Sequence, residues 1–191
     1  WTFNSLAGPK EPVAQIGINL GAPGDRRLDD GTLWLDYPDV GGPSPRIEIA
    51  ALPEDVEWFR HHSSRIQEGA YPWVAASGAI GLRTLRIQLQ PEGSPAKRYA
   101  VRLFFAERED AEPGQRVFDV TLQDSTVAKG VDVAALAGGP RREHVLTFAD
   151  VPVTDYLMIA LTPHTDLDTI LCGVEAVAED SKRERVAAAQ D

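Results

Sequence analysis

The sequence holds a single cysteine, Cys172, so no internal disulfide can form and a small cross-linked scaffold is excluded. Cys172 sits in the apolar run Ile170-Leu171-Cys172-Gly173-Val174 with no base beside it, which reads as a small buried hydrophobe. No stretch approaches the ~20 apolar residues of a membrane span, so no membrane insertion is expected. Cations are the minority charge: 19 Lys and Arg stand against 29 Asp and Glu, for a net charge of -10 and a pI near 4.8. Nucleic-acid binding draws its affinity from cations that neutralise phosphates, so nucleic acid is not an expected partner, and nor is an anionic membrane surface. The catalytic signatures are missing too. There is no HExxH and no GxSxG, and the turn Gly21 to Gly24 lacks the GK[ST] ending of a phosphate loop. No cofactor is implied. The only methionine is Met158, and the chain opens at Trp1-Thr2-Phe3-Asn4, so the expectation is a piece of a longer exported protein whose targeting signal lies out of view.

What is present is a series of short alternating runs. Hydrophobic residues make up 43% of the chain and charged residues 25%, enough for one ordinary core. Strands are expected at Val13 to Leu20, Thr32 to Tyr37, Arg46 to Leu52, Leu82 to Leu89, Tyr99 to Phe105, Phe118 to Leu122, Tyr156 to Leu161 and Ile170 to Val177. The clearest alternation is Tyr99, Val101, Leu103, Phe105, with Arg102 on the other face. Pro53 to Arg60, entered at a proline and acidic at its start, reads as one helical turn, the only helix expected before the tail. Strand-rich chains of this kind close into sandwiches or barrels. The expected architecture is all-β: a sandwich or barrel of antiparallel strands with at most one short helix. It would span residues 13–179, after a linker at 1–12 and before a charged tail at 180–191.

Several residue sets invite a chemical reading. Asp25, Asp29 and Asp30 form an acidic turn between glycines and are a weak calcium candidate; Arg26 and Arg27 inside it favour self-paired turn charges. Adjacent His61 and His62 point in different directions in any regular element and make a poor chelating pair. Glu107, Glu109, Asp110 and Asp119 hold carboxylates, but no nucleophile motif accompanies them. The aromatic set is Trp34, Tyr37, Trp58, Phe59, Tyr71 and Trp73; its Trp and Tyr members supply flat faces with a polar handle, and Phe59 reads as core. Exposed at loops they would stack on sugar rings; buried they are core, and the sequence leaves this open for Trp34, Tyr37 and Trp73.

The strand Tyr99-Ala100-Val101-Arg102-Leu103-Phe104-Phe105-Ala106-Glu107, followed by Gly114-Gln115-Arg116-Val117-Phe118-Asp119-Val120, resembles the centre of malectin and malectin-like domains. Gly17-Ile18-Asn19-Leu20-Gly21, Val127 to Val133, and Leu171-Cys172-Gly173-Val174-Glu175-Ala176-Val177 are similar to the family's flanking segments and fall in the right order. The run Gly24 to Pro38 and the run Pro72 to Gly78 resemble malectin-like modules appended to large bacterial exported proteins. The resemblance implies an antiparallel β-sandwich of jelly-roll type, galactose-binding-like, that binds oligo- or polysaccharide without catalysis, outside the cytoplasm, beside other domains of its parent chain. By the same resemblance the sugar site would draw on Trp34, Tyr37, Trp73, Glu107, Asp166 and Asp168. The loop Arg108 to Pro113 departs from the family lectin, which carries an aromatic pair there. That departure sustains a second reading, a structural or protein-docking sandwich that binds no sugar.

Overall fold

The computed structural model describes residues 9–39, 47–108 and 111–180. The linker expected at 1–12 and the tail expected at 180–191 therefore lie largely outside the described residues, as do Glu109, Asp110 and most of the Gly/Pro loop before Ile47. The strands run β1 (Gln15–Leu20), β2 (Arg26–Arg27), β3 (Leu33–Tyr37), β4 (Ile49–Leu52) and β5 (Glu57–Arg60). After the short helix α1 (Pro72–Ala75) come β6 (Ser77–Ile80), β7 (Thr84–Gln88), β8 (Lys97–Ala106), β9 (Val117–Leu122) and β10 (Ser125–Asp132). Helix α2 (Val133–Ala137) leads to β11 (Glu143–Val153), β12 (Tyr156–Pro163), β13 (Ile170–Leu171) and β14 (Gly173–Ala178).

Two large sheets stack face to face. One has the order β11-β8-β14-β1-β3-β2, the other β10-β9-β12-β7-β4; a small sheet β13-β6-β5 closes one flank. This is an all-β sandwich, antiparallel except where β1 runs parallel to β3. The alternation in β8 sends Val101, Leu103 and Phe105 inward, and Phe118, Val120 and Leu122 answer from β9 in the opposite sheet; all six are buried. Phe105 meets Phe118 with ring centroids 5.9 Å apart. Burying each such side chain contributes roughly 1.5–3 kcal/mol, which makes this seam the main core.

The six-stranded sheet carries a second apolar layer on its outer face. Trp34 in β3, Gly17 in β1, Glu175 in β14 and Arg102 in β8 are successive neighbours across the strands. Gly17 leaves the sheet bare, and the indole of Trp34 lies across it: a Cβ on Gly17 would stand 2.0 Å from Trp34 Cδ2. A Cβ on Gly173 would stand 2.5 Å from Val74 in α1 and 3.4 Å from the Trp34 ring. Trp73, Phe104 and Tyr71 then surround Trp34 at centroid distances of 5.1, 5.4 and 5.9 Å.

Three local expectations need correction. Pro53 to Arg60 is not a helical turn: Glu57–Arg60 is β5, paired with β6, because a four-residue helix gains almost nothing alone while Phe59 gains a buried place. Two short α-helices occur instead of at most one, and α2 is fixed by Asp132, which accepts the Ala135 N–H at its start, and by left-handed Gly138 at its end. The longest strand, β11, escaped the alternation because a bulge between Phe148 and Val151 shifts its register.

Trp34→Ala is expected to cost about 3–5 kcal/mol in urea denaturation, since it hollows a layer with no free atoms to refill it. An unchanged midpoint would place Trp34 outside the folding core.

Candidate functional site

The surface opens at the end of β5, and also in a groove of about 630 Å³ lined by Gly114, His164 and Asp166. A cleft of about 620 Å³ is walled by Asn19, Asp25, Arg26, Arg60 and Trp73, with His61 at its edge. His61 also lines a neighbouring cleft of about 210 Å³ that holds Arg65, Glu107, Arg108 and Arg141. The chain builds this region from the outer apolar layer. Trp73 stands edge-on to Trp34 at 83° and packs on Tyr71 with centroids 5.8 Å apart, so its ring is held from two sides. Asn19 Nδ2 donates to the Trp73 carbonyl at 3.4 Å, and Ser77 Oγ donates to Asn19 Oδ1 at 3.1 Å, tying β1 and β6 to the helix that carries Trp73. The Arg26 guanidinium lies 4.7 Å from the Trp73 ring centroid. Arg60 donates to the carbonyls of Gly21 and Ala22 at 2.7 and 3.1 Å. His62 Nδ1 accepts from Ser64 N–H and caps a single 3-10 turn, Ser63–Arg65, which presents Arg65 at its end.

Beneath the smaller cleft runs a buried ion pair. Glu107 Oε2 and Arg116 Nε are 2.9 Å apart, with side chains 0% and 4% exposed. Arg116 also donates to the Asp168 carbonyl, and the Glu107 carbonyl accepts Arg141 N–H at 2.8 Å. Three loops are thus bound to one pair of charges. Asp119 of the same motif accepts Gly130 N–H at 2.8 Å and pairs with His164 at 2.9 Å. The Gly130 N–H first, then His164, holds the Asp119 carboxyl below the usual carboxylate range.

The expected site residues do not converge. Trp34 is fully buried and cannot touch a ligand; the glycines opposite it drew it into the sheet. Tyr37 packs on Trp58 at 5.7 Å, and its hydroxyl accepts Ala51 N–H at 3.3 Å, which spends it on joining strands. Trp73 is half-buried and walls the large cleft. Glu107 lines the small one but faces Arg116. Asp168 pairs with Arg83 at 2.7 Å on the surface, and Asp166 lines a separate groove with His164. In the acidic turn, Asp25 and Asp30 accept the N–H groups of Asp36 and Thr32 at 3.0 and 2.8 Å, and Asp29 is exposed. Among the described residues no group of three or more His, Cys, Asp or Glu is placed to hold an ion. Sequence reasoning missed Asn19, Arg60 and Arg65. The available signal was a basic run, Arg60 to Arg65, inside an acidic chain.

Comparison with known proteins supports the fold. Residues 93–167 match the family model described as the malectin domain. No curated protein sequence matches the chain. A Bacteroides uniformis β-glucuronidase is similar at 13% identity and a TM-score of 0.65, over 86% of this chain and 18% of that one. The ANXUR2 extracellular domain from Arabidopsis thaliana is similar at 16% identity and 0.61, over 84% and 47%. The structure of the plant peptide RALF23 with FER and LLG2 holds a chain similar at 20% identity and 0.58, over 91% and 54%. The chain thus spans a small part of the glucuronidase and about half of the plant chains. At these identities the likeness establishes the sandwich alone.

Two outcomes follow for the motif. Arg116→Met is expected to destabilise by about 3–5 kcal/mol, because it strands a buried carboxylate, and adding Glu107→Gln should recover part of the loss. Because folding depresses the Asp119 carboxyl, its contribution is present above the unfolded value and lost as pH falls through the folded one. The stability gap between wild type and Asp119→Asn should therefore close on acidification below about pH 4, read by denaturation at stepped pH.

Proposed function

From residues 93–167 matching the malectin domain, we propose that this chain is a non-catalytic carbohydrate-binding module of a multidomain exported bacterial protein, with the clefts at the end of β5 as its site. The observation that carries this reading is Trp73, a rigidly held indole at the wall of an open cleft ringed by hydrogen-bonding side chains. A sugar presents an apolar C–H face and a rim of hydroxyls. The indole suits the face, and Asn19, Asp25, Arg60 and His61 suit the rim. Stacking on the side that Arg26 covers exchanges a cation–π contact of about 0.5–1 kcal/mol for the sugar and frees the guanidinium to bond to it. Catalysis by a carboxylate pair finds no support here, since the buried Glu107 is held by Arg116. No helix among the described residues is long and apolar enough to cross a membrane.

A second reading, protein docking, is favoured by β11, an eleven-residue edge to the six-stranded sheet. The bulge before Val151 and the proline at 152 blunt that edge, so the sugar reading stands first.

A glycan array on the domain, followed by tryptophan fluorescence titration of each hit, tests the proposal. Trp73→Ala is expected to weaken any hit at least about tenfold while lowering stability far less than Trp34→Ala. A folded sample that binds no glycan would transfer the case to docking.

A further inference from the structure

Elsewhere on this surface arginine is matched with acid. Arg83, Arg86, Arg102 and Arg142 each pair with a carboxylate: Asp168, Glu48, Glu175 and Glu68. In a chain of net charge -10, partners are plentiful. In the small cleft Arg108 follows this pattern, pairing with Glu57 at 2.9 Å, but three other arginines at the clefts break it. Among the described residues no carboxylate lies within ion-pair distance of Arg26, Arg60 or Arg65. Arg26 rests on the Trp73 ring. Arg60 is bonded to two backbone carbonyls, which fix its direction and leave its charge in place. Arg65 projects from the end of its 3-10 turn. Arg27 and Arg98 also bind only a carbonyl, but neither lines the clefts. Asp25 lines the large cleft and accepts the Asp36 N–H, outside ion-pair distance of Arg26 and Arg60, and Glu107 in the small one faces Arg116. Arg26 and Arg60 line the Trp73 cleft, Arg65 lines the neighbouring cleft that shares His61 with it, and none of the three forms an ion pair with a described carboxylate.

We propose that this site selects a saccharide bearing oxyanion groups, uronate carboxylates or sulfate esters, stacked at Trp73 beside Arg26 and Arg60 and reaching Arg65 in the adjoining cleft. The inference rests on the carbohydrate reading above and names its ligand class. A guanidinium presents parallel N–H donors that match a carboxylate or sulfate edge, and such charge-assisted bonds are about twice as strong as neutral ones. The tie of Arg60 to Gly21 and Ala22 orients its fork before the ligand arrives. The negative charge of the rest of the chain repels anions generally and leaves this cleft as the place where they are attracted.

The test uses matched oligosaccharides on glucose and galactose backbones, α- and β-linked. Each is prepared neutral, with C6 oxidised to the uronate, and with C6 sulfated, then titrated by calorimetry at low and at high sodium chloride. The expected result is an acid-bearing oligomer bound about tenfold tighter than its neutral partner at low salt, with the margin shrinking as salt rises. In the Arg26→Gln, Arg65→Gln double variant the ratio of acidic to neutral affinity should fall towards one. A melt matching the wild type would certify its fold. Preference for uronate alone, or for sulfate alone, supports the proposal and names the source of the anion. Equal binding of neutral and acidic oligomers overturns the anion selection and leaves the carbohydrate reading intact. A preference that survives the double variant overturns the assignment to these arginines. Binding of none of them by a folded domain overturns the carbohydrate reading and this inference together.

Discussion

Much of this molecule follows from a bare patch on one sheet. At Gly17 and Gly173 the six-stranded sheet has no side chain to offer, and the Trp34 indole fills the space flat against the backbone. With Trp34 seated, the outer face becomes apolar, and the segment carrying Tyr71, Trp73 and Val74 packs down onto it. Each aromatic pair adds about 0.5–1.5 kcal/mol beyond the area it buries. The geometry counts for more than the energy. An indole packed edge-on against a buried one has lost its rotamer freedom before any ligand arrives, so Trp73 reaches the cleft wall as a fixed plate.

The buried Glu107–Arg116 pair does a different task. A buried ion pair adds little net stability over an apolar replacement of the same shape, because both charges lose their water. Its value here is positional. It joins the loop after β8 to the start of β9, and through the Asp168 and Glu107 carbonyls it reaches two further loops. The smaller cleft lies over this joint. Glu107 and Arg116, which stand in the central segments of the resemblance, are thus residues that hold the loops.

The packing explains what the sequence disclosed. Strands with strict alternation, such as Tyr99 to Phe105, were legible because one face meets the main core throughout. β11 was not, because its bulge breaks the period. Pro53 to Arg60 misled because a proline and acids mark a helix start, whereas the aromatics that follow decide for a strand. The aromatic residues were ambiguous for a physical reason. Alternation tells which face a side chain takes but not whether that face is covered, and Trp34 lies on an outer face that α1 happens to roof. Of the cleft arginines, only the basic run Arg60 to Arg65 was legible. Arg26 lies in β2, far off in sequence, and whether an arginine has an acid beside it is a fact of tertiary structure.

A sandwich similar in shape to parts of a glucuronidase and of plant receptor ectodomains sets no ligand by itself, since function resides in the loops placed on a fold. The loops of this chain pose a specific energetic problem. The stretch Arg108 to Pro113 after β8 is charged and holds no aromatic residue, so under the proposed carbohydrate reading the Trp73 cleft offers a sugar a single stacking plate. Even a Kd of about 1 mM requires about −4 kcal/mol after the costs of association. One ring and a few neutral hydrogen bonds, each contributing about 0.5–1.5 kcal/mol net, barely reach it. Hydrogen bonds to charged groups contribute about 1.5–3 kcal/mol each. Under that reading, arginines with no described carboxylate at ion-pair distance offset the shortfall of a single aromatic, and the offset works only for a ligand that itself brings negative charge.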